Sequence, residues 1–544
     1  MLQRYLKRVK IPAMLVILFA MMQSALGSGL ALVFQKAVDY AEGIKEHTVS
    51  WKVFCYFILF MFGYIVILTL ADFFRRYFRS GLIVKVDREV NLDYLHKVLN
   101  QEVKDYNRHD SAYYLSRFTN DLPSLVNDYI FEFFNLALYF FQTLFTIIVA
   151  FCVNWKIAII LVALSFVIML YTTVFEKRFS QIKVKTSEKN TGYVTDLKYL
   201  LQGFLEIKTN NAGERFLYKI SNSLEERNRQ KRRWWNLEAI YSPVAAFLTN
   251  MLTFSSIVLA CILYIHGNLN TGLFVAAVYL SGHIFNPISN FFEQITYLKS
   301  NKQLVEQVYQ DFEECKKKPL KKIDTIQSIQ FDHVSFSYED KKIFVNASFE
   351  IKKGKKYLII GESGIGKSTL LKIIMGFCDY TGQIMVNGVD LLDIDRNSWN
   401  ELVSYVPQDS YIFKDTIRNN IDLQGQHSDD DIMRVCEKTR LFRTIDKERL
   451  NEEVSEEINE VSGGEKQKIA LARSILKNPQ LLLLDEVTAS LDKESAMDIE
   501  KTILSVEGAT VMYICHKVSD SLAKSFDYVV EICNNTVVIR EDWL

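Results

Sequence analysis

The chain has 544 residues, of which 49% are hydrophobic and 24% charged, and its 64 Lys and Arg balance 64 Asp and Glu. The length allows several domains, and the apolar content excludes a disordered chain. Because the net charge is zero and no dense basic tail is present, a nucleic-acid binder that works through bulk positive charge is also excluded, and we expect no nucleic-acid partner.

Six long apolar runs lie in the first 300 residues. A hydrocarbon core about 30 Å thick needs about 20 apolar residues per helix, and suitable runs lie at residues 12–34, 53–70, 131–153, 157–175, 245–265 and 274–298. The first run follows basic residues, as a signal peptide would, but it is too long for one and no small-x-small cleavage site follows it. We therefore predict six retained spans, with no peptidase-like extension before the first.

Lys and Arg are distributed unevenly between the connections. Nine lie in residues 75–127 and fourteen in residues 176–238, whereas Lys156 is alone in the connection near residue 154. Basic connections are enriched on the cytoplasmic side of a membrane. This asymmetry predicts a multi-pass membrane protein with both termini in the cytoplasm, and we expect it in the cell inner (plasma) membrane.

The two basic connections are also long. Apolar residues recur in them at spacings of three and four, as in Val86, Val90, Tyr94 and Val98, which predicts membrane helices that continue into the cytoplasm, turn and return. Residues 301–325 are polar and Lys-rich and predict a linker. After the linker, short β-rich runs alternate with helical patterns, which predicts a largely parallel or mixed sheet flanked by helices.

The eight cysteines are scattered singly, without a C-x-x-C pair. We therefore predict neither a disulfide framework nor a structural metal.

A phosphate-binding motif lies between a strand-like run and a helical run. Gly361-Glu-Ser-Gly-Ile-Gly366-Lys367-Ser368-Thr369 fits G-x-x-x-x-G-K-[ST] in that context. In such a loop the glycines let backbone N–H groups surround phosphate oxygens, the Lys neutralises the β- and γ-phosphates, and the Ser hydroxyl can bind Mg²⁺. The predicted nucleotide-binding residues here are Gly361, Ser363, Gly364, Gly366, Lys367, Ser368 and Thr369.

A second acidic site follows four consecutive leucines at residues 481–484. Such a run indicates a strand covered on both faces. It would deliver Asp485 to the Mg²⁺ shell, and Glu486, one residue on, is the candidate to polarise the attacking water.

Together these motifs resemble those of the ATP-binding cassette (ABC) ATPases, and the whole chain is similar to an exporter-type half-transporter. The most specific element is Val461-Ser462-Gly463-Gly464-Glu465, with the helix that continues to Arg473, which resembles the LSGGQ signature. The resemblance implies a multi-domain membrane protein. An all-α six-helix transmembrane domain (1–300) and a linker (301–325) would precede an α/β P-loop ABC ATPase domain (326–544).

The resemblance also implies roles for further residues. Tyr338 matches the aromatic residue that stacks on adenine, and Gln408 the glutamine that senses Mg²⁺. Asp492 lies in a segment like the D-loop, and His516 matches the switch histidine. The implied catalytic set is Glu486, His516 and Gln408, the nucleotide contacts add Tyr338, Ser462, Gly463, Gly464 and Asp492, and the implied metal set is Ser368, Gln408 and Asp485.

Some positions are weaker matches or departures. Residues 116–121 and 208–215 resemble the two cytoplasmic turns of such exporters. Glu465 replaces the signature Gln and Val461 the Leu, but the serine and two glycines that contact phosphate are retained. The acidic stretch 453–458 lacks the usual Gly and Arg, which leaves the coupling of this ATPase to its membrane domain open.

One chain has one P-loop and one signature segment. In this family ATP lies between the P-loop of one domain and the signature of another, so the resemblance implies a dimer. We expect a homodimer before a pair with a related half-transporter. The expected function is ATP-driven export, with a membrane-embedded dimer moving a peptide or an amphipathic small molecule.

Other functions use the same architecture. A lipid flippase, a subunit of a heterodimeric exporter, and a nucleotide-gated channel or regulator stay open as alternatives. Glu486 and His516 favour turnover over gating, and the six spans exclude a soluble ABC ATPase of repair or translation.

Overall fold

The computed structural model describes residues 5, 7–312, 320–339, 341–441, 447–455, 462–489, 491, 493–515 and 520–541. Its contacts divide the chain into two compact units. The first contains residues 1–101 and 109–313, and the second contains residues 102–108 and 314–544.

The first half of the chain is helical. In chain order its helices are α1 (Lys10–Lys45), α2 (Trp51–Leu99), α3 (Val103–Tyr106), α4 (Ser111–Ser116), α5 (Leu122–Ser124), α6 (Phe131–Val153), α7 (Trp155–Gln202), α8 (Phe204–Thr209), α9 (Gly213–Ile265) and α10 (Thr271–Phe312), with π-helical segments at Arg117–Asp121 and Leu125–Ile130. Among the described residues, six helical stretches are long and apolar enough to cross a membrane. Each contains or overlaps one of the six predicted spans, so that prediction is confirmed.

Three of these helices are much longer than a bilayer requires. Helices α2, α7 and α9 have 49, 48 and 53 residues, and at about 1.5 Å per residue each exceeds twice the thickness of a hydrocarbon core. In the extension of α2, Val86, Val90 and Tyr94 are at most 2% exposed and Val98 packs against them. The predicted extended helices are therefore present. In α2, the apolar residues that recur every three or four positions form the buried face of the extension.

The first long turn lies earlier than the sequence resemblance placed it. Helix α2 ends at Leu99, and the Asp110 carboxylate accepts a hydrogen bond from the backbone N–H of Tyr113 at 2.9 Å, which caps α4. Residues 117–121 belong to the returning helix, so the placement of the turn at 116–121 was wrong. The second turn, between α8 and α9, falls within the predicted residues 208–215.

Small residues let the helices of the first unit pack closely. Six alanines are at most 1% exposed in one buried cluster, namely Ala31, Ala150, Ala158, Ala260, Ala276 and Ala277. In the same unit, the hydroxyls of Ser28 and Thr146 are 2.9 Å apart. Small side chains and hydroxyl pairs are the usual means of helix association where water supplies no driving force.

The last helix continues into the segment expected to be a linker. Helix α10 extends to Phe312, and residues 320–325 lead into the second unit. Helix α3 groups with this second unit, where Lys104 Nζ lies 3.1 Å from a carboxylate oxygen of Asp379.

Among its described residues, the second unit contains three sheets and seven further α-helices. The strands are β1 (Ser328–Tyr338), β2 (Lys341–Lys352), β3 (Lys356–Ile360), β4 (Thr381–Val386), β5 (Val389–Asp390), β6 (Val403–Val406), β7 (Asp415–Thr416), β8 (Glu453–Val454), β9 (Leu481–Asp485), β10 (Thr510–Ile514), β11 (Tyr528–Cys533) and β12 (Thr536–Arg540). The helices are α11 (Lys367–Ile374), α12 (Arg396–Leu402), α13 (Ile417–Ile421), α14 (Asp429–Lys438), α15 (Gly463–Leu476), α16 (Lys493–Ser505) and α17 (Asp520–Ala523).

The central sheet has the strand order β12-β11-β3-β10-β9-β6, and all of its pairings are parallel except that of β12. Leu481 to Leu484 on β9 are fully buried, Leu481 and Leu483 in one core cluster and Leu482 and Leu484 in another. The prediction of a strand covered on both faces is therefore confirmed. A second, antiparallel sheet of order β2-β1-β4-β5 was not anticipated.

Candidate nucleotide site

Loops from neighbouring strands meet at one edge of the central sheet. The P-loop follows β3, Gln408 lies just after β6, and Asp485 ends β9 with Glu486 directly after it. Because β3, β10, β9 and β6 are adjacent and parallel, their carboxyl ends lie along one edge, which is where open α/β sheets bind ligands. His516 follows β10 in the sequence but lies outside the described residues, as does Asp492.

The P-loop backbone requires glycine. Gly361, Gly364 and Gly366 have φ values of +151°, +75° and +118°, which L side chains rarely adopt. Gly366 begins α11, and a Cβ atom there would collide with the side chain of Ile343 and approach Phe344 at 3.3 Å. The loop is therefore held by both its own conformation and strand β2.

Lys367 lies over the loop. The residue is 5% exposed, and its Nζ donates hydrogen bonds to the carbonyl oxygens of Gly361 at 2.9 Å and Glu362 at 3.0 Å. Ser363 and Gly364 complete the loop, and Ser368 and Thr369 follow in the first turn of α11. The ammonium group thus lies beside the helix N-terminus, where a phosphate would gain both the positive charge and the helix dipole.

Ser368 and Asp485 form an oxygen pair suited to a hard cation. Ser368 Oγ donates to Asp485 Oδ1 at 2.8 Å, and the hydroxyl of Tyr405 donates to Asp485 Oδ2 at 3.1 Å. Asp485 is 3% exposed. A hydroxyl and a buried carboxylate are ligands that Mg²⁺ accepts when phosphate oxygens and water complete its octahedron. The residues present therefore fit a Mg²⁺ ion bound together with a nucleotide.

Tyr405 was not among the predicted site residues. Burial and the adjacent Asp485 raise the pKa of its hydroxyl, which keeps the group protonated as a donor. The available signal was its place on β6, opposite Leu483 of the strand that ends in Asp485.

Gln408 and Glu486 are in direct contact. Gln408 Nε2 donates to Glu486 Oε2 at 2.9 Å. Glu486 has a φ of +52° and donates its backbone N–H to the carbonyl of Ile514 at 3.3 Å. Left-handed backbone at a non-glycine residue is strained and is common at functional sites. Here it turns the side chain of Glu486 toward Gln408 while Asp485, one residue earlier, faces Ser368.

Gln467 is a second residue that the sequence did not single out. Its side chain is buried, and Nε2 donates to the carbonyl oxygen of Gln408 at 2.5 Å. The bond joins the helix of the signature segment, α15, to the Gln408 loop. The only sequence signal was a polar residue on the buried side of that helix.

Tyr338 lies at the end of β1 and is 47% exposed. Strand β1 pairs with β2, with Phe336 opposite Phe344, and Phe344 is also close to Gly366 of the P-loop. The hairpin that confines the P-loop therefore also presents the aromatic ring predicted to stack on adenine.

The signature residues begin α15. Ser462 is its N-cap: the hydroxyl accepts from the N–H of Glu465 at 3.3 Å, and both the N–H and the hydroxyl of Ser462 donate to Glu465 Oε2, at 2.9 and 2.8 Å. Glu465, the departure from the usual signature, thus completes a capping box. In the described part of the chain, the side-chain hydrogen bonds of Ser462 stay within this helix start, and Gly463 and Gly464 follow as its first residues.

Comparison with known proteins places this geometry in a family. A family model described as "ABC transporter transmembrane region" matches residues 13–288, and one described as "ABC transporter" matches residues 344–489. An export ATP-binding/permease protein of Rickettsia bellii is 28% identical over 489 residues, covering 85% of this chain and 82% of that protein. The ATP-dependent lipid A-core flippase of Francisella novicida is 23% identical over 475 residues, covering 84% of this chain and 80% of that protein.

A solved structure supports the fold over the whole length. A bacterial Atm1-family ABC exporter with ATP bound superposes with a TM-score of 0.85 at 20% identity, covering 98% of this chain and 94% of that one. The chain accordingly has the architecture of an ABC exporter, with six spans and one ATPase domain in a single polypeptide. It belongs to the ABC transporter family, whose members of this type hydrolyse ATP to drive transport across a membrane.

Proposed function

We propose that two copies of this chain form an exporter of the inner membrane that moves a peptide or an amphipathic small molecule outward at the expense of ATP. The observation that carries the proposal is the pair of contacts at the sheet edge, Ser368 with Asp485 and Gln408 with Glu486. In this proposal the Ser368–Asp485 pair supplies a cation site and the Gln408–Glu486 pair supplies a base for hydrolysis, both in a polypeptide that also carries six spans.

Each residue has a distinct task in this proposal. Tyr338 stacks on the adenine, and the P-loop N–H groups and Lys367 hold the phosphates. Ser368, Asp485 and the side chain of Gln408 hold Mg²⁺, which when bound supplies neutralisation of the phosphate charge. Glu486 accepts a proton from the attacking water, and Gln408 orients the Glu486 carboxylate. His516 contacts the γ-phosphate, and Asp492 contributes from the segment resembling the D-loop.

The signature segment supports a dimer. The Ser462 hydroxyl caps the start of α15, and in this proposal the N-terminal groups of that helix serve a nucleotide held by another P-loop. Ser462, Gly463 and Gly464 of one copy then close on the P-loop of the second copy. A homodimer makes both sites complete, whereas a related half-transporter as partner would do so only if it carried the same residues.

Orientation follows from charge. The connections rich in Lys and Arg face the cytoplasm in this proposal, which places both termini and the ATPase domain there. Membrane lipids surround the six spans. The relative named as a lipid A-core flippase makes lipid movement the main alternative for the cargo.

Transport in inside-out vesicles tests the proposal. Vesicles with wild-type protein or the variant Glu486→Gln are supplied with an extract of the source cell, and compounds that accumulate only with wild type and ATP are identified by mass spectrometry. Enrichment of a peptide or amphiphile supports export. ATP hydrolysis without enrichment, together with ATP-dependent movement of a labelled lipid between leaflets, would contradict it in favour of a flippase.

A further inference from the structure

A cavity of about 200 Å³ lies inside the first unit between α7, α9 and α10. Its wall combines three aromatic rings with two carboxylates. The rings are Phe179 on α7 and Trp234 and Tyr241 on α9, and the carboxylates are Glu238 on α9 and Glu293 on α10. Neither carboxylate belongs to the candidate nucleotide site described above.

The rings of the aromatic wall pack against one another. The ring of Phe179 packs edge-on against Trp234 at 5.1 Å and against Tyr241 at 5.4 Å, measured between ring centroids. Tyr241 stacks on Tyr171 at 5.3 Å, and the Tyr171 hydroxyl donates to the Tyr241 carbonyl at 2.9 Å. Phe179 and Tyr241 are each 7% exposed. Aromatic rings held in this way can present their negative faces to a cation.

The electrostatic environment of the cavity is negative. Glu238 and Glu293 lie close enough to repel each other, and Glu132 adds a third negative charge that acts on Glu293. Within the described residues, no Lys, Arg or His approaches either carboxylate of the cavity within 4 Å. Glu293 lies within the predicted span 274–298, and an ionisable group at membrane depth is costly unless a partner or a cavity accounts for it.

Polar groups also lie along the same space. Thr249 lines the cavity at 5% exposure. Asn286 and Asn290 line both this cavity and a neighbouring one of about 510 Å³. In that neighbour, Ser24 is 1% exposed and its hydroxyl is unpaired among the described residues. Buried polar groups without partners are rare in folded proteins, so the Ser24 hydroxyl indicates a ligand in the neighbouring cavity.

We propose that this cavity binds the transported molecule and that the molecule is an amphipathic organic cation, its positive charge between Glu238 and Glu293 and its apolar part against Phe179, Trp234 and Tyr241. The inference rests on the proposed export function and names the class of its cargo. An anionic amphiphile would meet like charges here, and a neutral one would leave both carboxylates unpaired. The hydroxyls and amides along the two cavities serve the polar atoms of the same molecule.

The test compares two ions of matched size and opposite charge. Full-length protein in nanodiscs is titrated with tetraphenylphosphonium and with tetraphenylborate, and binding to empty nanodiscs is subtracted. The variants are Glu238→Gln/Glu293→Gln, the charge-retaining Glu238→Asp/Glu293→Asp, and the control Glu226→Gln. Glu226 is an exposed residue of the same helix that pairs with Lys189 at 2.5 Å.

We expect wild type to bind the phosphonium at least about tenfold more tightly than the borate, and the double glutamine variant to lose about tenfold in phosphonium affinity. The aspartate variant and Glu226→Gln should stay within about threefold of wild type. Equal binding of the two ions, or wild-type affinity in a double glutamine variant that elutes as a folded protein, would overturn the inference. If the glutamine variant does not fold, the wild-type ion comparison decides.

ATPase activity of the wild type is measured on the same preparations. Its absence would refute the proposed export function and leave the phosphonium result standing as a binding site. Intact ATPase activity with no preference for the cation would refute the cargo class alone. The two proposals therefore fail separately.

Discussion

The amide of Gln408 donates to the carboxylate of Glu486 across 2.9 Å, joining the loop after β6 to the end of β9. Gln467 in turn donates to the Gln408 carbonyl from the signature helix α15. These two hydrogen bonds connect α15 to the proposed base, so a movement of α15 would shift the Gln408 loop and with it the position of Glu486. This relationship makes Glu486 the first residue to test.

Glu486→Gln should abolish ATP turnover while leaving ATP binding intact. The amide keeps the shape of the side chain but cannot accept the proton of the attacking water, so we expect a loss of about 10²- to 10⁴-fold in kcat. Steady-state phosphate release and ATP binding measure the two effects. Glu507→Gln, an exposed change in the same domain, is the control. A rate for Glu486→Gln equal to that of the control would show that another group is the base.

Tyr405→Phe should weaken the apparent affinity for Mg-ATP more than it lowers kcat. The phenol holds one oxygen of Asp485 while Ser368 contacts the other, and a hydrogen bond to a charged group contributes about 1.5 to 3 kcal/mol. We expect a rise of about tenfold in KM. The exposed Tyr411→Phe is the matched control. An unchanged KM would mean that Asp485 is positioned without this hydroxyl.

Gly366→Ala should destabilise the ATPase domain by about 2 to 5 kcal/mol, because the alanine meets both an unfavourable φ and the side chain of Ile343. Gly388→Ala isolates the first effect: its φ is +80°, but nothing lies within 4 Å of the added Cβ. We expect Gly388→Ala to lower the free energy of unfolding by about 1 to 2 kcal/mol. Thermal unfolding of the detergent-solubilised protein measures both. Equal losses would exclude the collision as a cause.

Asp422→Asn should lower the free energy of unfolding by about 1 to 3 kcal/mol at neutral pH. The Asp422 oxygens accept the backbone N–H groups of Gly425 at 3.0 Å and His427 at 2.7 Å, and an amide can accept only one of them. Although burial raises the pKa of this carboxyl, the backbone hydrogen bonds and the His427 side chain, whose Nδ1 lies 3.3 Å from Asp422 Oδ1, outweigh burial, and the pKa is lowered overall.

A lowered pKa gives the pH dependence of this stabilisation a definite sign. The contribution is fully present above the unfolded pKa of about 3.9 and is lost as the pH falls through the lower folded value. The difference in unfolding temperature between wild type and Asp422→Asn should therefore shrink below about pH 4. Asp332→Asn, at an exposed carboxyl, should show no comparable pH-dependent difference. A difference that widened as the pH fell below about 4 would contradict this assignment.

Local patterns in the sequence were enough to predict the membrane spans and the buried strand of the ATPase domain. The apolar runs predicted the six spans because a span needs about 20 consecutive apolar residues, whatever its neighbours are. The leucines 481–484 predicted a strand buried on both faces, because successive side chains of a strand point to opposite faces and all four are apolar. The error at residues 116–121 also has a local cause: a motif resemblance does not locate a turn, which here is set by the end of α2 and the cap at Asp110.

Contacts between distant residues could not be predicted in this way. Tyr405 and Asp485 are 80 residues apart, and Gln408 and Gln467 are 59 apart. Their pairing depends on the strand order of the central sheet, in which β6 lies beside β9. No periodicity along the chain encodes that order.

The sequence by itself determined the six spans and the ABC ATPase motifs, since hydrophobic length and the spacing of a phosphate-binding loop are properties of contiguous residues. Only the tertiary structure decided which side chains meet, Tyr405 with Asp485 and Gln467 with Gln408, and that Glu238 and Glu293 line one cavity beside an aromatic wall. The physical reason is that charges and hydrogen bonds act over a few ångströms in space, and folding brings these groups together from separate helices, strands and loops.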